Sequence, residues 1–494
     1  MAIFGGRTRP ARQDAAPAAE AGGQPGLPAF LSAAQSGEVL SPRRRMGLIV
    51  RLSIPSILAQ VSSILMQYID AAMVGSLGAS ASAAIGLVAS SSWLLGGLCT
   101  AAATGFSVQV AHMIGAGRDG EARNVLRQAL VSALCMGVLL AAIGASLSFP
   151  LPVWLGGEAD VIPGARSYFL IYACGLPFTQ LRQTCGSMLQ CSGDMRTPSL
   201  LNALMCLWDV VFNSLLIFPT RTVTVLGFSF TMWGAGMEVA GAALGTALAE
   251  VVTALCMVGA VCLRSPRLRL GLGGSWRMEK KCLTTALRVA VPIAFENSIL
   301  CLAQVVTTTI VAPLGTVAVA ANSLAVTAES LCYMPGFGVA TAATTLVGQS
   351  LGAGRRDLAR DFARSSVLLG VLVMSGAALA MFLLAPAVFA MLTPVEEVRR
   401  LGTEVLRIEA FAEPLYAASI VTAGALRGAG DTLAPSLMNF CSMWGVRVPL
   451  SLLLVGPLGL HGVWLAMCIE LCARGVLFLI RLGRGKWLRR SLLN

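Results

Sequence analysis

Eight carboxylic acids stand inside stretches that are otherwise apolar: Asp70, Asp209, Glu250, Glu296, Glu329, Glu409, Glu413 and Glu470. An ionisable group is costly in hydrocarbon, so acids placed this way face an internal cavity or a partner and mark ion or substrate paths. In LWDVVFNSL, Asp209 and Asn213 are four residues apart and share one helix face. With Asp70, from QYIDAAMVG, set opposite them, that face offers two carboxylates and an amide. Such a set binds a proton, or holds Na⁺ through oxygen ligands. Asn213 has a plainer use as well, a hydrogen bond between helices.

Glu296 follows Pro292, Glu329 is in mid-helix, and Glu413 precedes Pro414. Carboxylates of this kind, facing a central cavity, would attract organic cations; the alternative is hydrogen bonding between helices. Glu470 and Arg474 are four residues apart, the spacing of an internal ion pair. Glu250 and Arg447 receive no role. Other chemistry is poorly supported. The fourteen cysteines form no CxxC pair, and two histidines, His112 and His461, are too few for a metal or catalytic cluster. No Walker lysine is present. The expectation is therefore no enzyme, no cofactor, and no metal beyond Na⁺.

The elements that must position these acids are membrane helices. The chain has 494 residues, 56% hydrophobic and 12% charged, where soluble domains carry roughly 25% charged residues. Its mean hydropathy is +0.76. Apolar stretches of about 20 residues, enough to cross the bilayer, recur along it. A β-barrel is excluded by the lack of alternation. Sliding the chain against itself by 237 residues brings MIGAGRDGEAR, from Met113, onto SLGAGRRDLAR, from Ser350. Pro55 then falls on Pro292, Leu77-Gly78 on Leu314-Gly315, Pro177 on Pro414, Gly193-Asp194 on Gly430-Asp431, and Asn202 on Asn439. The register holds without a gap from 55 to 202, then slips at an extra loop around 220–238. This is a tandem duplication, a transporter-like architecture. The acids do not follow it: Asp70 meets Thr307, Asp209 meets Val446, Glu296 meets Ala59, Glu329 meets Ser92, Glu409 meets Tyr172 and Glu413 meets Leu176. Each half has been specialised separately.

Each half divides into six spans: 48–73, 80–112, 122–149, 160–190, 197–218 and 240–263, then 284–311, 317–349, 359–388, 398–427, 434–456 and 460–481. An even number per half leaves both halves facing the same way. With both termini cytoplasmic, the inside segments carry 28 of the 36 Lys and Arg and the outside ones four, in line with the positive-inside rule. The net charge of +12 is thus topogenic, and no nucleic-acid partner is implied. The divisions are a disordered cytoplasmic tail (1–45), an N-terminal lobe (46–265), a cytoplasmic linker (266–283), a C-terminal lobe (284–482) and a basic cytoplasmic tail (483–494). The two GAGR corners close the second and eighth helices at the cytoplasmic face.

IPSILAQ, YIDAAMVGSLG, HMIGAGR, CSGDMRTPS, YMPGFGVATAATTLVGQSLGAG and LRGAGDTLAPS, in this order and spacing over about 48–482, resemble the multidrug and toxic compound extrusion (MATE) family of cation-coupled antiporters. The resemblance implies two six-helix lobes forming a V whose cleft opens alternately to each side. It matches Asp70 to an acid implicated in cation coupling and Pro55 to a proline associated with bending of the first helix. DinF-like members carry Asn first and Asp four residues later on the fifth helix; here Asp209 precedes Asn213. Another branch carries a seventh-helix glutamate later than Glu296. The function expected is secondary-active export, H⁺ or Na⁺ against amphipathic cations, by a monomer in the bacterial inner membrane. A lipid or lipid-linked sugar flippase is the alternative, and a membrane-embedded enzyme a more distant one.

Overall fold

Twelve helical rods account for most of the described residues. The structure is a computed structural model that describes residues 40–225, 228–271 and 274–489. The N-terminal half contains α1 (Pro42–Gly75), α2 (Ala79–Gly115), α3 (Asp119–Leu147), α4 (Ile162–Ser192), α5 (Arg196–Leu216) and α6 (Glu238–Gly259). The C-terminal half contains α7 (Lys280–Val311), α8 (Thr316–Gly352), α9 (Arg356–Leu392), α10a (Glu396–Ala410) with α10b (Glu413–Gly428), α11a (Leu433–Ser442) with α11b (Val448–Leu458), and α12 (Leu460–Arg484). Among the described residues ten helices are long and apolar enough to cross a membrane, α11a and α11b counting as one. The two rods outside that set are α4, long enough but more polar, and the divided α10.

Several expected boundaries move, each for a local reason. Most of the expected tail, 1–39, lies outside the described residues, as do 490–494. The helix itself starts at Pro42, where proline suits the first turn and the Ser41 hydroxyl accepts from the Arg44 amide at 3.4 Å. Arg43, Arg44 and Arg45 therefore belong to α1, not to the tail, and Arg45 pairs with Asp361 of α9. At the other end, residues of the expected basic tail form a 3₁₀ turn, Lys486–Arg489, with Trp487 fully buried. The single span 398–427 is broken at Phe411 and Ala412, because Pro414 lacks the amide that would bond back to residue 410. In 434–456, Met443–Arg447 is a π-helical turn just before Pro449. The extra loop of the first half is an antiparallel hairpin, β1 (Pro219–Val225) and β2 (Phe228–Ala235).

The apolar packing shows how the halves meet. One continuous core takes residues from both halves near the GAGR corners, including Val110, Ile114, Leu189, Leu346, Val347 and Leu426. Away from that end each half has its own core, around Ala84, Phe169 and Val239 in one and Ala318, Phe389 and Trp464 in the other. The halves thus share their largest core at the corner end and keep separate cores toward the opposite end, where the Tyr68 hydroxyl still donates to the Thr327 carbonyl at 2.8 Å, an arrangement of two lobes in a V. Between lobes, α1 packs on α8 and α2 on α7, pairings that the repeat relates to each other. Large apolar side chains such as Leu58, Leu139, Leu372 and Leu453 stay exposed on the outside, as lipid-facing positions require.

Candidate functional site

In the N-terminal lobe the three residues picked out by spacing come together. Asn213 Nδ2 donates to Asp70 Oδ1 at 2.9 Å and to Asp209 Oδ2 at 3.0 Å. Asp209 and Asn213 are fully buried, and Asp70 is half-buried. Asp209 Oδ1 and Asn213 Oδ1 have no hydrogen-bond partner among the described residues. The i, i+4 spacing on α5 aligns the Asp209 and Asn213 side chains, and α1 brings Asp70 across to them. Close approach of α6 depends on Gly245, where a Cβ would run into Asn213 Oδ1. Two carboxylates bridged by one amide, with carboxylate and amide oxygens left over, can take up a proton or a hard cation.

The C-terminal lobe handles its acids in two ways. Glu470 is fully buried and clamped: Arg474 Nε lies 3.1 Å from its Oε1, Arg447 Nη2 2.8 Å from its Oε2, and the Ser442 hydroxyl donates at 2.5 Å. The pair expected at i, i+4 is present, and Arg447 joins it from the π turn. Glu296 is likewise held, by Arg427 Nη2 at 2.8 Å, Asn439 Nδ2 at 2.6 Å and the Ser436 hydroxyl at 3.0 Å. That geometry is the interhelical bonding alternative; as a lure for organic cations, Glu296 is already neutralised by Arg427. Glu329, Glu409 and Glu413 behave differently. They are buried and within electrostatic reach of one another, with Arg447 acting on Glu329 and Glu409 and Arg474 on Glu329. Both carboxyl oxygens of Glu413 and Oε1 of Glu409 lack a partner among the described residues. Tyr333 and Tyr416, ring centroids 5.8 Å apart, stand beside this cluster.

Other contacts were missed from sequence. Glu250 takes a bidentate grip from Arg182, Nε to Oε2 at 2.6 Å and Nη2 to Oε1 at 3.0 Å, and Asn202 Oδ1 accepts from the same guanidinium. Long cationic side chains reach between helices, so spacing along one helix does not reveal them. Pro55 lies within an uninterrupted α1, and Gly338 of α8 packs against the backbone at Ile57. Among the described residues no group of three His, Cys, Asp or Glu side chains converges as a metal site.

Comparison with known proteins agrees with this architecture. The family model MatE matches twice, over residues 55–215 and 292–453, once in each half. A probable multidrug resistance protein NorM from Thermotoga maritima is 27% identical over 450 residues, covering 90% of this chain and 94% of that protein. The multidrug resistance protein MdtK from Yersinia pestis is 25% identical over 459 residues, covering 90% and 95%. A solved structure described as the outward-facing conformation of a multidrug resistance MATE family transporter superposes with a TM-score of 0.82 at 22% identity, covering 93% of this chain and 99% of that one. The family match spans most of both lobes, its two copies follow the duplication, and the fold agrees: the chain is a multi-pass membrane protein of the MATE transporter family.

Proposed function

We propose that the protein is a secondary-active exporter, in which H⁺ or Na⁺ moving down its gradient drives efflux of amphipathic, cationic small molecules. The observation that carries this reading is the buried Asp70–Asn213–Asp209 arrangement with its unpartnered oxygens. With both acids ionised, α1 and α5 repel each other across a single amide. A bound proton or cation removes that repulsion. Because α1 also packs on α8 of the other lobe, the change reaches the contact between lobes. A ligand shifts such a balance only by binding its two states unequally, and a site built from both α1 and α5 does so.

Cationic cargo is supported by the interior charge, eight acids against five arginines: Arg182, Arg407, Arg447 and Arg474, with Arg427 reaching Glu296. Of the acids assigned to the substrate cavity, Glu329 and Glu413 lie in the cluster with Glu409, and both Glu413 oxygens lack a hydrogen-bond partner among the described residues. The names of the NorM and MdtK relatives agree with drug-like cargo. The proposed setting is the bacterial inner membrane with a monomer, both termini and the GAGR corners on the cytoplasmic side. No chemical step and no cofactor other than the coupling ion enters this scheme.

The test is ethidium efflux from cells with the Na⁺ and H⁺ gradients collapsed separately. Collapse of one gradient should abolish efflux, and Asp70→Asn should abolish it with protein still folded in the membrane. Full efflux by Asp70→Asn would sink the coupling role.

A further inference from the structure

A reciprocal contact between the lobes lies where α2 crosses α8. His112 Nε2 lies 2.8 Å from the carbonyl oxygen of Gly428 in the opposite lobe. Gln349 Nε2 donates at 2.9 Å to the carbonyl of Cys191, also in the opposite lobe. The repeat of 237 residues maps His112 onto Gln349 and Cys191 onto Gly428. These two hydrogen bonds are therefore one contact made twice, crosswise, about the pseudo-twofold axis.

The backbones at the crossing are just as reciprocal. A Cβ on Gly115 would run into the carbonyl oxygen of Gln349, and a Cβ on Gly352 into that of His112. Only glycine permits this approach, which explains why the first glycine of both GAGR corners survives the divergence of the two halves. His112 and Gln349 are buried, as is every residue of 105–112 and 345–350. Thr345 adds a bond to the Gln190 carbonyl at 3.1 Å, and Arg45 ties α1 to Asp361 of α9 at the same end. The largest apolar core shared by the lobes takes residues from both helices of this crossing.

We propose that the α2–α8 crossing, with His112–Gly428 and Gln349–Cys191 as its two latches, is the gate that closes the cleft on the corner side and is released as a unit whenever the cleft opens there. This rests on the alternating-access reading above. The chemistry suits a gate: neutral hydrogen bonds to carbonyl groups carry no large desolvation cost when broken, unlike the clamped Glu470 or Glu296. Each neutral bond biases a population roughly fivefold, so losing both raises the open fraction about twenty-five-fold.

The test reads distance, not transport, so it can fail independently of the exporter reading. Spin labels are placed at the exposed positions Glu121 and Arg356, one on each lobe beside the corners, in full-length protein in lipid nanodiscs after replacement of the native cysteines. The parent should give one short distance. His112→Ala with Gln349→Ala should add a longer component. His112→Gln, which installs the residue that the other half uses, should keep the short distance alone. An unchanged distribution in a folded double alanine variant, checked by gel filtration and thermal unfolding, would overturn the gate. So would a long component in His112→Gln equal to that of the double variant. Should the double variant not fold, His112→Ala alone is measured against His112→Gln, and equality of the two likewise overturns it. Efflux of ethidium is recorded in parallel: its absence in the parent would bear on the exporter and leave the distance result standing.

Discussion

The two lobes share a scaffold and differ in what they bury. In the N-terminal lobe two aspartates share one amide with no cation among their hydrogen-bond partners. In the C-terminal lobe Glu470 is shared by two guanidinium groups, and Glu296 has a third. The duplicated asparagine shows the divergence most directly. Asn202 uses its oxygen to receive Arg182, whereas Asn439 uses its nitrogen to hold Glu296. An amide serves either sign of charge, so the scaffold residue persisted while the charges around it were rewritten. The comparison teaches that duplication fixed the crossings and turns, and left the interior electrostatics free to specialise.

The comparison can be broken by substitution, beginning with the largest expected effect. Glu470→Ala leaves Arg447 and Arg474 buried without their carboxylate and should cost roughly 3–5 kcal/mol in denaturant unfolding in micelles. Glu413→Gln, at an acid with no partner to lose, should be neutral or stabilising in the same measurement; equal losses would erase the distinction between clamped and uncompensated acids. Next, Gly245→Ala pushes a methyl group into Asn213 Oδ1 and should destabilise by about 1–3 kcal/mol. It should also lower ethidium efflux more than a Gly→Ala change at Gly376, which has open space beside it. The smallest contrast is between the paired asparagines. Asn439→Ala removes a short bond to a buried carboxylate and should cost about 1.5–3 kcal/mol, and Asn202→Ala less, since Arg182 keeps its bidentate carboxylate. A larger loss at Asn202 would reverse the proposed roles of the two amides.

Much of this was legible in the sequence. Runs of apolar residues gave the rods, and the 237-residue repeat gave two halves with the same orientation. The α5 face was legible because Asp209 and Asn213 are fixed by helical geometry alone. What stayed hidden depends on contact between helices. Arg182 and Glu250 are 68 residues apart, and nothing local in either helix announces the other. The latch residues were within reach of the repeat, since His112 and Gln349 are partners in it, but both read as ordinary polar residues near a helix end. The break before Glu413 had a signal in Pro414 that a hydropathy window averages away.

The π turn at Met443–Arg447 has a consequence for how the halves correspond. Such a turn holds one residue more than an α turn, so the side chains beyond it are rotated relative to an unbroken α-helix. Asp209 has Val446 as its counterpart in the repeat, and Arg447 follows one residue on. The C-terminal lobe thus has an arginine, paired with Glu470, next to the repeat position of Asp209. The duplication thus leaves a polarity between the halves: two aspartates sharing an amide in one, and an arginine–carboxylate pair in the other.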